Sequence, residues 1–106
     1  MTKRGTSLTN PFGPDVHVMK VGKKMYALFP TDGTPHVSLK CDPQRAEALR
    51  EQHTEVTPGY HLNKKHWNTV SLDGNLTVED IEAFIDHSYE LVVQSMTKAE
   101  RAAIGS

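Results

Sequence analysis

The chain has one cysteine, Cys41, among its 106 residues. No internal disulfide can therefore staple it, and a reducing cytoplasm is the expected setting. Long apolar runs are missing too. None approaches the roughly 18 residues that span a bilayer. Lys3 and Arg4 precede a polar stretch containing Gly and Pro, which excludes a signal-peptide core there. There is no phosphate-cradling glycine loop and no paired-carboxylate signature. The six histidines, His17, His36, His53, His61, His66 and His87, show no structural zinc spacing. His61 and His66 are five apart without a nearby cysteine, and His36 and Cys41 fall on opposite faces of a strand that simply continues. Cys41 sits just before a helix start, where a thiolate is physically allowed, but only His36 is close in sequence as a partner. An enzyme needs a positioned nucleophile or an acid–base pair. No catalytic residue, metal or cofactor is expected.

What is present is a chain of one-domain length with an uneven charge. Residues 1–72 carry ten Lys/Arg against six Asp/Glu, and residues 73–106 carry two against seven. A basic body with an acidic C-terminal helix admits a nucleic-acid surface; it equally admits an ordinary solvated one.

Residues 1–15 read as an irregular arm, with Phe12 as its anchor and turn residues from Asn10 to Asp15. Val16–Val21 and residues 24–29 read as a hairpin around Gly22-Lys23, and His36–Lys40 as a third strand. His17, Met19 and Val21 share one face and Val16, Val18 and Lys20 the other. Both are partly apolar, so the buried face stays open. Asp42-Pro43 is a helix start, and Pro58 ends that helix before Thr57. Asn68–Leu72 reads as a strand with Val70 and Leu72 on one side. Thr77 and Asp80 open a long helix with the stripe Ile81, Phe84, Ile85, Ser88, Leu91, Val92 and Met96. Thr97 and Glu100 open a last helical turn or two. The expected order is β-β-β-α-β-α-α. That order implies an α+β two-layer domain over residues 11–106, an antiparallel sheet with helices on one face.

Pro58–Gly74 packs Lys64, Lys65, His61, His66 and the sole tryptophan, Trp67, into one short loop and strand. Together with Phe12-Gly13-Pro14-Asp15, Val21–Leu28, Val37–Cys41, Ser88–Val93 and Lys98–Arg101, it resembles the MmcQ/YjbR-like family. The resemblance implies a fold similar to the frataxin-like CyaY domain. It also implies DNA as a partner, since binding to DNA has been proposed for the family. Members usually begin with an additional N-terminal helix, whereas only ten residues precede Pro11 here. Either the sheet is less well covered at that end or the chain is a shortened version, and a partner subunit or second copy could meet the exposed surface.

The expected nucleic-acid contacts are Lys23, Lys24, His61, Asn63, Lys64 and Lys65. Lysines at loop tips reach phosphates and position a backbone. Arginine, the common reader of guanine, is sparse. Trp67 invites base stacking, but beside Val70 it reads more readily as a core anchor. Asn63 suits a cap on the Lys64–Trp67 turn. The rival reading is a non-enzymatic protein-interaction or regulatory module using the sheet face or the acidic helix.

Overall fold

A computed structural model describes residues 5–11, 13–59 and 62–105. The described elements are β1 (Thr6–Thr9), β2 (Val16–Val21), β3 (Lys24–Pro30), β4 (His36–Lys40), α1 (Pro43–Gln52), β5 (Val56–Pro58), β6 (Trp67–Ser71), α2 (Val78–Gln94) and α3 (Lys98–Gly105). The strands form one antiparallel sheet in the order β1-β2-β3-β4-β6-β5. This is the α+β architecture expected.

Register settles which face is buried under helices. Met19 pairs with Ala27, Ala27 with Leu39 and Leu39 with Asn68, while Val37 pairs with Val70 and Val70 with Val56. Directly paired side chains share a face, and this one packs against Phe84 and Val92 of α2. The opposite face carries Val18, Leu28, Ser38 and Thr69 in one row, with the Ser38 and Thr69 hydroxyls 3.0 Å apart. Val18 and Trp67 are buried on that side. A bulge after Met19 shifts the β2–β3 register, so Tyr26 and Ala27 both join the helix-side core.

The bulge leaves backbone groups for a side chain to satisfy. Ser88, fully buried in α2, donates to the Tyr26 carbonyl at 2.5 Å and accepts from the Lys40 amide at 2.9 Å. One hydroxyl thus ties β3 and β4 to the helix. Thr77 and Asp80 form a reciprocal capping box at the start of α2. Asp42 accepts from the Gln44 and Arg45 amides at the start of α1. At the far end of α2, Met96 and Ile104 lie against Gly22, which turns the hairpin with φ +60°. Ile104 also rests on Gly5, where a Cβ would stand only 2.7 Å from its own Cβ.

Three expectations are corrected. The arm is not irregular throughout, because Thr6–Thr9 adds β1 to the edge of β2. Its Thr-Ser-Leu-Thr sequence has no alternating apolar signal, and backbone pairing makes the strand. β5 is likewise a three-residue strand held by pairing with β6, not an extension of the break at Pro58. The last strand starts one residue early, at Trp67, and Leu72 lies beyond it with 40% of its surface exposed. The anchor expected of Phe12 lies outside the described residues.

Candidate nucleic-acid interface

The loop before β6 is clamped at its base. The Gly59 amide donates to the Trp67 carbonyl at 2.9 Å. A Cβ on Gly59 would meet Trp67 Cβ at 2.7 Å, so only glycine allows this approach. Within the loop, the Asn63 side-chain oxygen accepts from the Lys65 amide at 2.9 Å, and its carbonyl accepts from the His66 amide at 3.2 Å. The Lys64 ammonium donates back to the Gly59 carbonyl at 3.1 Å. From α1, the Arg50 guanidinium donates to the Lys64 carbonyl at 2.7 Å. Between the two walls lies a cleft of about 550 Å³, with Gln44, Glu47 and Arg50 facing Lys64, Lys65 and His66. Arg50 Nε is buried there with no hydrogen-bond partner among the described residues.

Lys23 and Lys24 occupy the β2–β3 tip. Lys24 Nζ donates to the Ser95 carbonyl at 3.3 Å and hydroxyl at 3.2 Å, where it closes the end of α2. Glu100 stays below the ordinary carboxylate range because the Thr97 amide and hydroxyl donate to it, helped by the charges of Lys24 and Lys23. This tip lies at the same end of the sheet as the cleft. Lys40 ends β4 and pairs with Trp67 at the start of β6. Two strand spacings separate β3 from β6, about 10 Å.

Of the six expected contacts, the structure brings Lys23, Lys24, Lys64 and Lys65 to one end. Asn63 shapes the loop, as a cap should, and His61 lies outside the described residues. Lys24 and Lys64 are engaged within the chain, whereas Lys23 and Lys65 are exposed. Sequence reasoning missed Arg50 and Lys40. Arg50 stood at helical spacing with Ala46 and Leu49, and Lys40 on the strand face away from Val37 and Leu39. Neither position told which loop would fold against it.

The charge is polarised along the strands. Residues 25–39 and 66–97 contain no Lys or Arg. Asp32, Asp73, Glu79 and Glu82 lie in these stretches at the opposite end, and Glu55 joins them through its bond to the Asn75 amide. Asp32 and Glu55 lie below their ordinary range. The Thr34 side chain and amide donate to Asp32, and the Asn75 amide leads the hydrogen bonds to Glu55.

Behind the cleft, Cys41 is buried, and that burial pushes its thiol up despite the opposing charge of Arg45. The thiolate that its place before α1 would allow is not favoured. His87 accepts from the Asp42 amide at 3.3 Å, and burial, followed by the charge of Arg45, lowers its pKa. Among the described residues, no three His, Cys, Asp or Glu side chains cluster to hold a metal ion, and no helix is long and apolar enough to cross a membrane.

A family model described as YjbR matches residues 1–91. The chain is 42% identical over 84 residues to the protein YjbR of Escherichia coli K12, covering 78% of this chain and 71% of that one. It is 34% identical over 95 residues to YbdF of Escherichia coli O157:H7, covering 89% and 78%. Among solved structures it is similar to Deinococcus radiodurans protein DR2400, a DUF419 domain. The TM-score is 0.89 at 44% identity over 96% of this chain and 79% of that one. A Pseudomonas syringae protein matches with TM-score 0.68 at 31% identity, over 81% of this chain and 86% of that one.

Proposed function

The chain belongs to the YjbR family, and from that premise we propose that it is a non-catalytic binding protein whose basic end takes DNA by its phosphates. One observation carries the reading. Lys23, Lys40, Lys64, Lys65 and Arg50 gather at a single end of the sheet, where Arg50, Lys64 and Lys65 line a cleft. Such a cluster creates a positive field that draws a polyanion and orients it. Lys65 and Lys23 extend into solvent as the first phosphate contacts. Lys64 and Arg50 hold the loop in place for them. Few side chains here read base edges, so the binding is largely independent of sequence.

A titration with duplex and single-stranded DNA at low and moderate salt tests this. Affinity should fall with a log–log salt slope of about −3, as expected for roughly three neutralised phosphates. Lys65→Ala should reduce the magnitude of that slope by about 1 on every sequence. It is a cleaner probe than Lys64→Ala, which also releases the Gly59 carbonyl. No binding at low salt, or binding indifferent to both Lys23 and Lys65, would reject the proposal.

A further inference from the structure

The cleft between α1 and the 63–66 loop holds more charge than clamping the loop requires. Its lining sets Arg50, Lys64, Lys65 and His66 against a single carboxylate, Glu47, with Gln44 beside it. The larger hollow is an apolar trough of about 720 Å³ at the opposite end, between the strands and the first half of α2. It has no lysine or arginine in its lining to meet an anion. At about 550 Å³ the cleft falls within the size range of small-ligand sites.

Donors remain unspent in the cleft. Lys64 gives one ammonium N–H to the Gly59 carbonyl and keeps the others. Lys65 is exposed. Arg50 spends Nη2 on the Lys64 carbonyl, while its Nε is buried without an acceptor among the described residues. A charged donor left so costs more than a lost bond between neutral groups, and an oxyanion in the cleft gives the guanidinium an acceptor that its own chain does not. These donors are held before any ligand arrives. The Asn63 side chain and carbonyl shape the loop, and the Gly59 amide ties its base to Trp67. Less ordering entropy is therefore lost on binding.

Three such cations around one concavity match a phosphomonoester, which carries a charge of about −1.5 to −2 and three strong acceptor oxygens at neutral pH. A phosphodiester inside a strand has a single charge and fewer free oxygens. Glu47 sharpens the choice. Its carboxylate repels a second phosphate brought in beside the first. A strand that runs through the cleft is therefore disfavoured, and one that ends in it is not. We propose, on the reading of this end as a DNA surface, that the cleft receives the terminal phosphate of a DNA strand, with Arg50, Lys64 and Lys65 on the phosphate oxygens. The diesters that follow stay outside, on the open part of the basic end.

The probe is a short labelled single strand in three forms, with a 5′ phosphate, with a 3′ phosphate, or ending in hydroxyls. In fluorescence anisotropy at low salt, both phosphorylated forms should bind about ten-fold more tightly than the hydroxyl-ended form. A hydroxyl-ended strand one nucleotide longer, which adds a diester instead, should show little of that gain. Inorganic phosphate should shift the backbone amides of Gln44, Lys64, Lys65 and His66. Arg50→Lys keeps the charge and loses the planar fork, and should cut the preference to about two-fold. Glu47→Gln alters an exposed side chain, so the fold is retained, and it should strengthen binding of the hydroxyl-ended strand more than of the phosphorylated ones. Equal binding of phosphorylated and hydroxyl-ended strands overturns the proposal and leaves the basic end standing as a sequence-independent DNA surface. Binding of neither at low salt overturns both. A nucleoside 5′-monophosphate that binds as tightly as the phosphorylated strands also overturns it, by naming a free nucleotide as the ligand.

Discussion

The lysine-bearing end of the sheet and the trough end are made from the same strands but differ in what is already satisfied. At the lysine end several polar groups have an internal task. Lys24 closes α2, Lys64 and Arg50 hold a loop, Ser88 bridges two strands and His87 accepts from the start of α1. At the trough end the surfaces are apolar and half covered, and Leu8, Leu72 and Val78 face water. The first region is rigid by hydrogen bonding and leaves a few cations to spare. The second leaves apolar area to spare. The difference teaches that one small sheet can offer two chemically unlike surfaces at its two ends.

The contrast is tested most strongly by truncating an aromatic at each end. Trp67→Ala removes a side chain only 7% exposed and should cost about 3–5 kcal/mol in urea denaturation. Phe29→Ala removes a half-buried ring that leans on His17 at 5.1 Å between centroids, and should cost about 1–2 kcal/mol. Equal losses would break the contrast. Ser88→Ala should come next, at about 1–3 kcal/mol, because the Tyr26 carbonyl and the Lys40 amide lose their partner inside the fold. Amide exchange at Lys40 should accelerate in that variant.

The smallest effect is a pH dependence confined to the lysine end. His87 binds its proton more weakly in the folded chain than its ordinary value of 6.5. The unfolded chain therefore takes up more protons below about pH 6.5. The stabilisation is complete above that pH and is lost as pH falls toward the lowered folded value. His87→Gln should flatten thermal stability between about pH 5 and pH 7. An unchanged profile would remove His87 as the cause.

Much of the fold was legible because local signals agreed with tertiary ones. Asp42-Pro43 and Thr77…Asp80 marked helix starts that the structure uses as caps. The spacing of Phe84, Ser88 and Val92 placed them on the buried side. β1 and β5 were not legible, because their reason for being strands lies in β2 and β6. Ser88 read only as a member of the apolar stripe, since the carbonyl it satisfies lies sixty-two residues away, beside the β2–β3 bulge. The lysines of the candidate interface stood out by local density. Arg50 and Lys40 did not, because Arg50 reaches the cleft only through the folding of the 63–66 loop against α1, and Lys40 joins that end only through the pairing of β4 with β6. The trough escaped notice because alternation in β2 left both faces apolar.

The polarity of charge along the strands has a consequence that precedes any contact. A body whose described cations gather at one end, while the other end carries carboxylates such as Asp32, Asp73 and Glu79, experiences a torque in a non-uniform field as well as a pull. Within a Debye length of a nucleic acid, about 8 Å at physiological ionic strength, that torque turns the molecule cation-end first. The trough end then points away from it. Under the proposed binding to DNA, collisions that begin in the wrong orientation are corrected during approach.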